Sequence, residues 1–234
     1  MRAIVFDFFG TLTDPGAEAE RRPAVARTAE VLGVPPDAFW AVMSATFGER
    51  AIGAHGDTTA VLREMARRCG GRPTDEMLAA ARRVHRAGAE LCRRPRRRVL
   101  EMLDEVRARG FRLAVLSDCG SELCEAWPDT PYASRLDATV FSWQEGCRKP
   151  DGRLYATAAR RLGVPADRCW FVGDGGSREH SGARSAGMRP VLITNVGHPG
   201  AAAHRDDPDS HVPDLTIDDI DELLPLVGHA DPAG

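Results

Sequence analysis

A chain of 234 residues, 43% hydrophobic and 28% charged, is long enough for one large α/β domain or a core with an inserted subdomain, and has the make-up of an ordinary soluble globular protein. The net charge of −3 gives no general attraction to nucleic acid or to an anionic membrane. No stretch is apolar over the length that a membrane-spanning helix needs.

The first element, Ala3–Phe9, reads as a buried strand that delivers one carboxylate, Asp7, onto a Gly10-Thr11 turn. A stretch that begins so directly with a charged strand does not have the pattern of a secretory leader. Residues 16–94 carry no strand signal. Helical patterns run over Val25–Leu32, Ala38–Phe47, Thr59–Cys69 and Glu76–Cys92, punctuated by Pro35-Pro36, Gly53 to Gly56 and Gly70-Gly71. The basic run from Arg93 to Arg98 reads as a solvated helix start. An apolar stripe at Val99, Leu100, Leu103 and Val106 follows, closed by Gly110.

Phe111–Ser117 and Cys169–Gly173 are two further strands of the buried, parallel kind, and Ala138–Ser142 and Pro190–Thr194 are weaker ones. Between them, Leu154, Ala158 and Leu162 form a second helical stripe, closed by Gly163. Alternating strands and helices predict a doubly wound α/β sheet with its ligands at the carboxyl ends of the strands. Asp7, Ser117 and Asp174 all fall at such ends. His198–Pro213 reads as a long surface loop, Ile217–Val227 as a terminal helix, and residues 229–234 as a frayed tail. The expected organisation is therefore an α/β core over 1–15 and 95–228, with an all-helical cap over 16–94. Six cysteines without a Cys-x-x-Cys pair read as reduced thiols and place the protein in the cytoplasm.

Lys149 is the only lysine in the chain; the rest of its 31 Lys and Arg residues are arginine. It lies among elements suited to binding a phosphate. Four signals stand in order: Asp7 before Gly10-Thr11, the strand ending in Ser117, Lys149-Pro150, and Gly173-Asp174-Gly175-Gly176. Together they resemble the haloacid dehalogenase-like hydrolases. The resemblance covers nearly the whole core, and the helical block matches that family's cap inserted after the first motif.

The resemblance implies a Rossmann-like core and a nucleophile at Asp7, whose carboxylate attacks phosphorus to form an aspartyl-phosphate. It makes Thr11 the residue that orients the nucleophile. Ser117, with the backbone N–H groups that follow it at Asp118, would hold the phosphoryl oxygens. Lys149 would supply positive charge against the nucleophile and those oxygens. Mg²⁺ would be bound by Asp7, Asp174 and the backbone carbonyl of Phe9, with Glu179 standing where many members carry another Asp.

Phe9 is the departure, because the family's phosphatases place a proton-transferring Asp there. Asp14, Glu179 and His180 are the replacements that lie nearby in sequence. The expected activity is a Mg²⁺-dependent phosphatase acting on a small phosphorylated metabolite, with no nucleic-acid or membrane partner. A metal-independent 2-haloacid dehalogenase is the alternative, because those enzymes carry an aromatic residue at the Phe9 position. A catalytically weak binding relative is a third reading. Arg50, His55 and Asp57 surround a Gly-broken turn of the cap, and Arg50 and His55 are expected to reach the substrate.

Overall fold

A computed structural model describes residues 1–198, 207–209 and 212–229. Six parallel strands form one sheet: β1 (Ala3–Phe6), β2 (Arg112–Ser117), β3 (Ala138–Phe141), β4 (Cys169–Gly173), β5 (Arg189–Ile193) and β6 (Leu215–Ile217). Their spatial order is β3-β2-β1-β4-β5-β6. Strand β1 lies in the middle, with Ala3 level with Arg112 on one side and Cys169 on the other. The connections leave β1 in both directions, so the crevice at its carboxyl end is the natural ligand site of such a sheet.

All four residues of β1 are fully buried, because helices cover both faces. Ile4 and Phe6 point into one apolar layer. There they meet Val99, Leu103 and Val106 of α6 (Val99–Ala108), Leu123 of α7 (Ser121–Ala126) and Leu223 of the last helix. Ala3 and Val5 point into the opposite layer, against Leu154, Tyr155 and Ala158 of α9 (Gly152–Leu162) and Ala183 of α10 (Glu179–Ser185). A short helix, α8 (Ser142–Glu145), follows β3.

Between β1 and α6 lie a 3-10 helix (Pro15–Glu20) and five α-helices: α1 (Arg21–Leu32), α2 (Pro36–Ala45), α3 (Phe47–Arg50), α4 (Thr58–Arg68) and α5 (Asp75–Cys92). They enclose an apolar cluster of their own, built on Leu32, Phe39, Leu62, Met65 and Leu78. A Cβ on Gly88 of α5 would come within 2.5 Å of the Ala24 Cβ of α1, so the glycine lets these two helices touch. Gly88→Ala should therefore cost about 1–3 kcal/mol through overpacking, read as a lower denaturant midpoint with an unchanged m-value.

The chain enters and leaves this insertion at one place. Thr13 and Pro95 form an antiparallel bridge, Asp14 N donates to Arg94 O (3.0 Å), and Arg96 N donates to Leu12 O (3.1 Å). The insertion also docks on α7. Thr58 N donates to Glu125 Oε1 (3.0 Å), the Thr58 and Ser121 hydroxyls are 2.8 Å apart, and Arg82 reaches Glu125 Oε2 at 2.9 Å.

The structure corrects several boundaries. Strand β1 stops at Phe6, because the Phe8 carbonyl takes the N–H groups of Thr11, Leu12 and Thr13 and turns the chain back. The expected helix over Ala38–Phe47 is two helices, broken at Thr46. The terminal helix expected over Ile217–Val227 begins later. Ile217 closes β6, a 3-10 turn spans Ile220–Glu222, and the helix α11 is Leu223–His229.

The basic run is a solvated helix start at Arg97 and Arg98, which are exposed, but not throughout. Arg96 is buried and donates to Thr11 O and Asn195 Oδ1, with Asp219 at 3.7 Å. Arg94 pairs with Asp14 at 2.8 Å. All six cysteines are free. No described helix is long and apolar enough to cross a membrane. Residues 199–206 and 210–211 of the expected 198–213 loop and residues 230–234 of the expected tail lie outside the described residues.

Candidate active site

Asp7 follows β1 directly, and its N–H continues the ladder to Val172 O (2.8 Å), which fixes the side chain at the sheet's carboxyl edge. Gly10 then adopts φ 76°, a left-handed conformation that glycine takes without penalty, and the chain folds back beneath it. Asp174 follows β4 in the same way. Its Oδ1 accepts from Gly176 N (3.3 Å), while its buried Oδ2 has no hydrogen-bond partner among the described residues.

Lys149 arrives from the β3–α9 connection, anchored by its own N–H to Asp118 Oδ1 (3.0 Å). Its Nζ lies 2.6 Å from Asp7 Oδ1 and 2.6 Å from Glu179 Oε2. Glu179 opens α10. Its Oε1 accepts from Gly175 N (2.8 Å), and its backbone carbonyl accepts from the Tyr155 hydroxyl (2.9 Å). A side chain on Gly173 would collide with the Glu179 carboxylate.

Three carboxylates and one ammonium are thus buried together. Burial is the largest influence on Asp7 and pushes it up to about 6, against the pull of Lys149. Asp174 is raised well above the ordinary carboxylate value by burial and by the charges of Glu179 and Asp7, and burial raises Glu179 as well. Burial opposes the charge on Lys149, but Asp7, Glu179 and Asp118 outweigh it and hold its pKa well above the ordinary value.

The residual negative charge suits a cation. Asp7, Asp174 and Glu179 each offer an oxygen, and the three oxygens lie within 4.8 Å of one another. An all-oxygen set with one orphaned carboxylate oxygen fits a hard divalent ion. The Phe9 carbonyl accepts no backbone hydrogen bond among the described residues, in contrast to that of Phe8.

A cavity of about 380 Å³ opens from this cluster to the helical insertion. Of the residues singled out from the sequence, Asp7, Phe9, Arg50, Asp118, Lys149, Asp174 and Glu179 line it. Thr11 and Ser117 are buried behind it. The Thr11 hydroxyl has no hydrogen-bond partner among the described residues, and Ser117 Oγ is turned to the Asp118 carbonyl (3.4 Å). His55 is not among the lining residues, and its ring turns to Glu49 Oε2 (2.8 Å).

Of the three proton-transfer candidates, only Glu179 faces the cavity. Asp14 caps Gly16 and pairs with Arg94. His180 is buried, with its N–H on Asp209 Oδ2, and burial lowers its pKa to about 4. The ring of Phe9 is half-buried, edge-on to Phe8 (5.0 Å), with the Arg21 guanidinium 5.3 Å above it.

Several lining residues carried no motif in the sequence. Arg21 is closed onto Glu18 at 2.6 Å, Arg148 onto Asp118 at 3.1 Å, and His85 and Glu122 also face the space. Tyr155, which holds Glu179 in place, sat unremarked in an apolar stripe. Arg148 adjoins the lone lysine and was the most accessible of these from sequence.

Residues 1–187 match the family model of the haloacid dehalogenase-like hydrolases. The chain belongs to that family. Among curated relatives of this hydrolase is a glyceraldehyde 3-phosphate phosphatase of Methanopyrus kandleri, 31% identical over 70% of this chain and 69% of that one. Another is an (S)-2-haloacid dehalogenase of Burkholderia cepacia, 28% identical over 85% of each. The structure of a phosphatase of the same family from Thermococcus onnurineus superposes with a TM-score of 0.68 at 21% identity, covering 99% of this chain and 100% of that one. That last likeness concerns the fold. The family membership makes this chain a hydrolase, and its relatives divide between phosphate esters and C–halogen bonds.

Proposed function

We propose that this hydrolase is a Mg²⁺-dependent phosphatase of small phosphorylated metabolites, acting through an aspartyl-phosphate on Asp7. The observation that carries the reading is the orphaned Asp174 Oδ2, buried beside Asp7 and Glu179 with one ammonium among three carboxylates. Bound Mg²⁺ would supply positive charge at the phosphoryl oxygens. Asp7, Asp174 and Glu179 would hold it, with the Phe9 carbonyl as a further oxygen.

In this reading an Asp7 carboxylate oxygen forms a bond to phosphorus as the bond to the leaving oxygen breaks. Lys149 holds Asp7 in place for attack and offsets charge on the phosphoryl group. Water then attacks phosphorus, inorganic phosphate leaves, and the Asp7 carboxylate is restored. The cavity of about 380 Å³ is at the small end of ligand sites, roughly 300–1,000 Å³. The helical insertion over it keeps bulk water from the intermediate.

One observation favours a second reading. Phe9 faces the cavity and cannot transfer a proton, and the dehalogenase relative matches over 85% of the chain. In that reading Asp7 displaces halide from carbon and forms an ester, without metal. The experiment is release of phosphate and of halide from small-substrate panels, with and without chelator. Phosphate release that disappears in excess chelator and returns with Mg²⁺ is the expected result. Halide release that is undiminished in chelator would replace the phosphatase reading with the dehalogenase.

A further inference from the structure

The turn that follows Asp7 uses its backbone carbonyls with one exception. The Phe8 carbonyl accepts from the N–H groups of Thr11, Leu12 and Thr13. The Gly10 carbonyl accepts from Asn195 Nδ2 (2.8 Å). The Thr11 carbonyl accepts from Arg96 Nη1 (3.3 Å), and the Leu12 carbonyl from Arg96 N (3.1 Å). From Phe8 to Leu12, only the Phe9 carbonyl has no hydrogen bond among the described residues. Carbonyls in such turns are ordinarily paired, and Phe9 lines the cavity together with Asp7 and Asp174.

The direction of that carbonyl is set at Gly10. The Phe9 C=O and the Gly10 N–H belong to one trans peptide plane and point opposite ways. Gly10 sits at φ 76°, a region that glycine enters and leaves freely, so the plane needs outside support. Two buried side chains supply it. Thr13 Oγ1 accepts from Gly10 N (3.0 Å) on one side, and Asn195 donates to Gly10 O on the other.

Asn195 lies just past β5, 1% exposed and at φ 57°, a backbone region that asparagine adopts more readily than most residues. Arg96 decides which end of its amide faces Gly10. A guanidinium only donates, so Arg96 Nη2 takes Asn195 Oδ1 and leaves Nδ2 for the Gly10 carbonyl. Arg96 is the residue after Pro95 of the antiparallel bridge, so this support is tied to the base of the insertion. Thr13, Arg96 and Asn195 do not line the cavity. Resting on the metal-dependent reading, we propose that Thr13 and Asn195, with Arg96 behind Asn195, are positioning residues that clamp Gly10 and hold the Phe9 carbonyl for the divalent cation.

Asn195→Asp separates this role from support of the fold. The carboxylate still accepts from Arg96, and aspartate also tolerates the left-handed backbone. The donor to Gly10 O is lost, and a carboxylate oxygen faces that carbonyl instead. The added negative charge would by itself attract a cation, so a weaker affinity reports the lost clamp and not the charge. Thr13→Val removes the acceptor on the other side with little change of shape, and Thr13→Ser restores it.

Mn²⁺, which shares the preference of Mg²⁺ for oxygen ligands, is titrated into each protein and the free ion is read by electron paramagnetic resonance. Kd should rise about 10–100-fold in Asn195→Asp and in Thr13→Val, the scale of losing a group that orients a metal ligand. Thr13→Ser should bind as wild type does. Thermal unfolding without metal identifies the folded variants. Unchanged Kd in either folded variant would overturn the inference. A loss in Thr13→Ser equal to that in Thr13→Val would make the effect one of packing and overturn it too. Wild type that binds no Mn²⁺ overturns the metal-dependent reading and the inference with it, whereas tight binding by wild type and variants alike overturns the inference alone.

Discussion

Lys149→Arg should leave a folded protein that has lost about 10²–10³ of its turnover, the scale of one lost preorganised charge donor. Arginine serves elsewhere in this chain wherever a basic residue is needed. Here the ammonium fits between two carboxylate oxygens at 2.6 Å each, in a site only 8% exposed. A planar guanidinium is wider and spreads its charge over a fork. To enter, it must push Asp7 away from the attack position or Glu179 away from Gly175 N. Charge is retained, so the carboxylates keep a cation and the fold should hold. Lys149→Met would confound the result, because stripping the partner from buried carboxylates costs about 3–5 kcal/mol. Circular dichroism and the denaturant midpoint separate folding from chemistry. Near-normal turnover of Lys149→Arg would mean that the retained lysine has no special part in the reaction.

The second large effect is a gain. In the phosphatase reading the site has its nucleophile and its positive charge, and lacks a proton donor for the leaving oxygen. Wild type should hydrolyse acyl and aryl phosphates much better than alkyl esters, because good leaving groups depart without protonation. Phe9→Asp should raise alkyl-ester hydrolysis, by up to about 10²–10⁴, and flatten that dependence on the leaving group. The position is open to the cavity, so a carboxylate there faces substrate. Arg21 lies over the present ring but is already held by Glu18 at 2.6 and 2.7 Å, so it need not capture the new carboxylate. The cost is lost packing against Phe8, which is moderate for a half-buried ring. A folded Phe9→Asp protein with no gain on any phosphate ester would assign Phe9 to other chemistry, with C–halogen hydrolysis the first to test.

These two residues were visible in the sequence because each departs from a local expectation: one lysine among arginines, and one Phe where a carboxylate belongs. Asp7 and Asp174 were visible because short apolar runs end on them, and a parallel sheet brings the ends of such runs together. Other features had no such mark. Strand β6 is three residues long and pairs only with β5 at the sheet edge, too short for any periodicity to register. Gly53 and Gly56 do turn the chain, at φ 79° and 76°, but the turn serves docking: Trp143 Nε1 donates to Gly56 O (3.1 Å). His55, singled out beside them, pairs on the insertion with Glu49. Glu122 was hidden because a Glu in the first turn of a helix reads as a favourable end charge. Only the folded chain shows that it lines the same cavity as Asp7.

The antiparallel bridge at Thr13 and Pro95 makes the five-helix insertion a closed excursion, since the chain returns to within one hydrogen-bonded pair of where it left. The sheet does not depend on that excursion for its register. Strand β1 is aligned by β2 and β4 alone, and Asp7 is held by Val172 of β4. Asp7 and the helical wall of its cavity are therefore carried by separable parts of the chain. The insertion can diverge, or be exchanged for another whose ends meet at the same bridge, while the attacking oxygen stays where it is. A family can in this way keep one reaction centre and change its clientele through a segment that contributes no strand to the sheet.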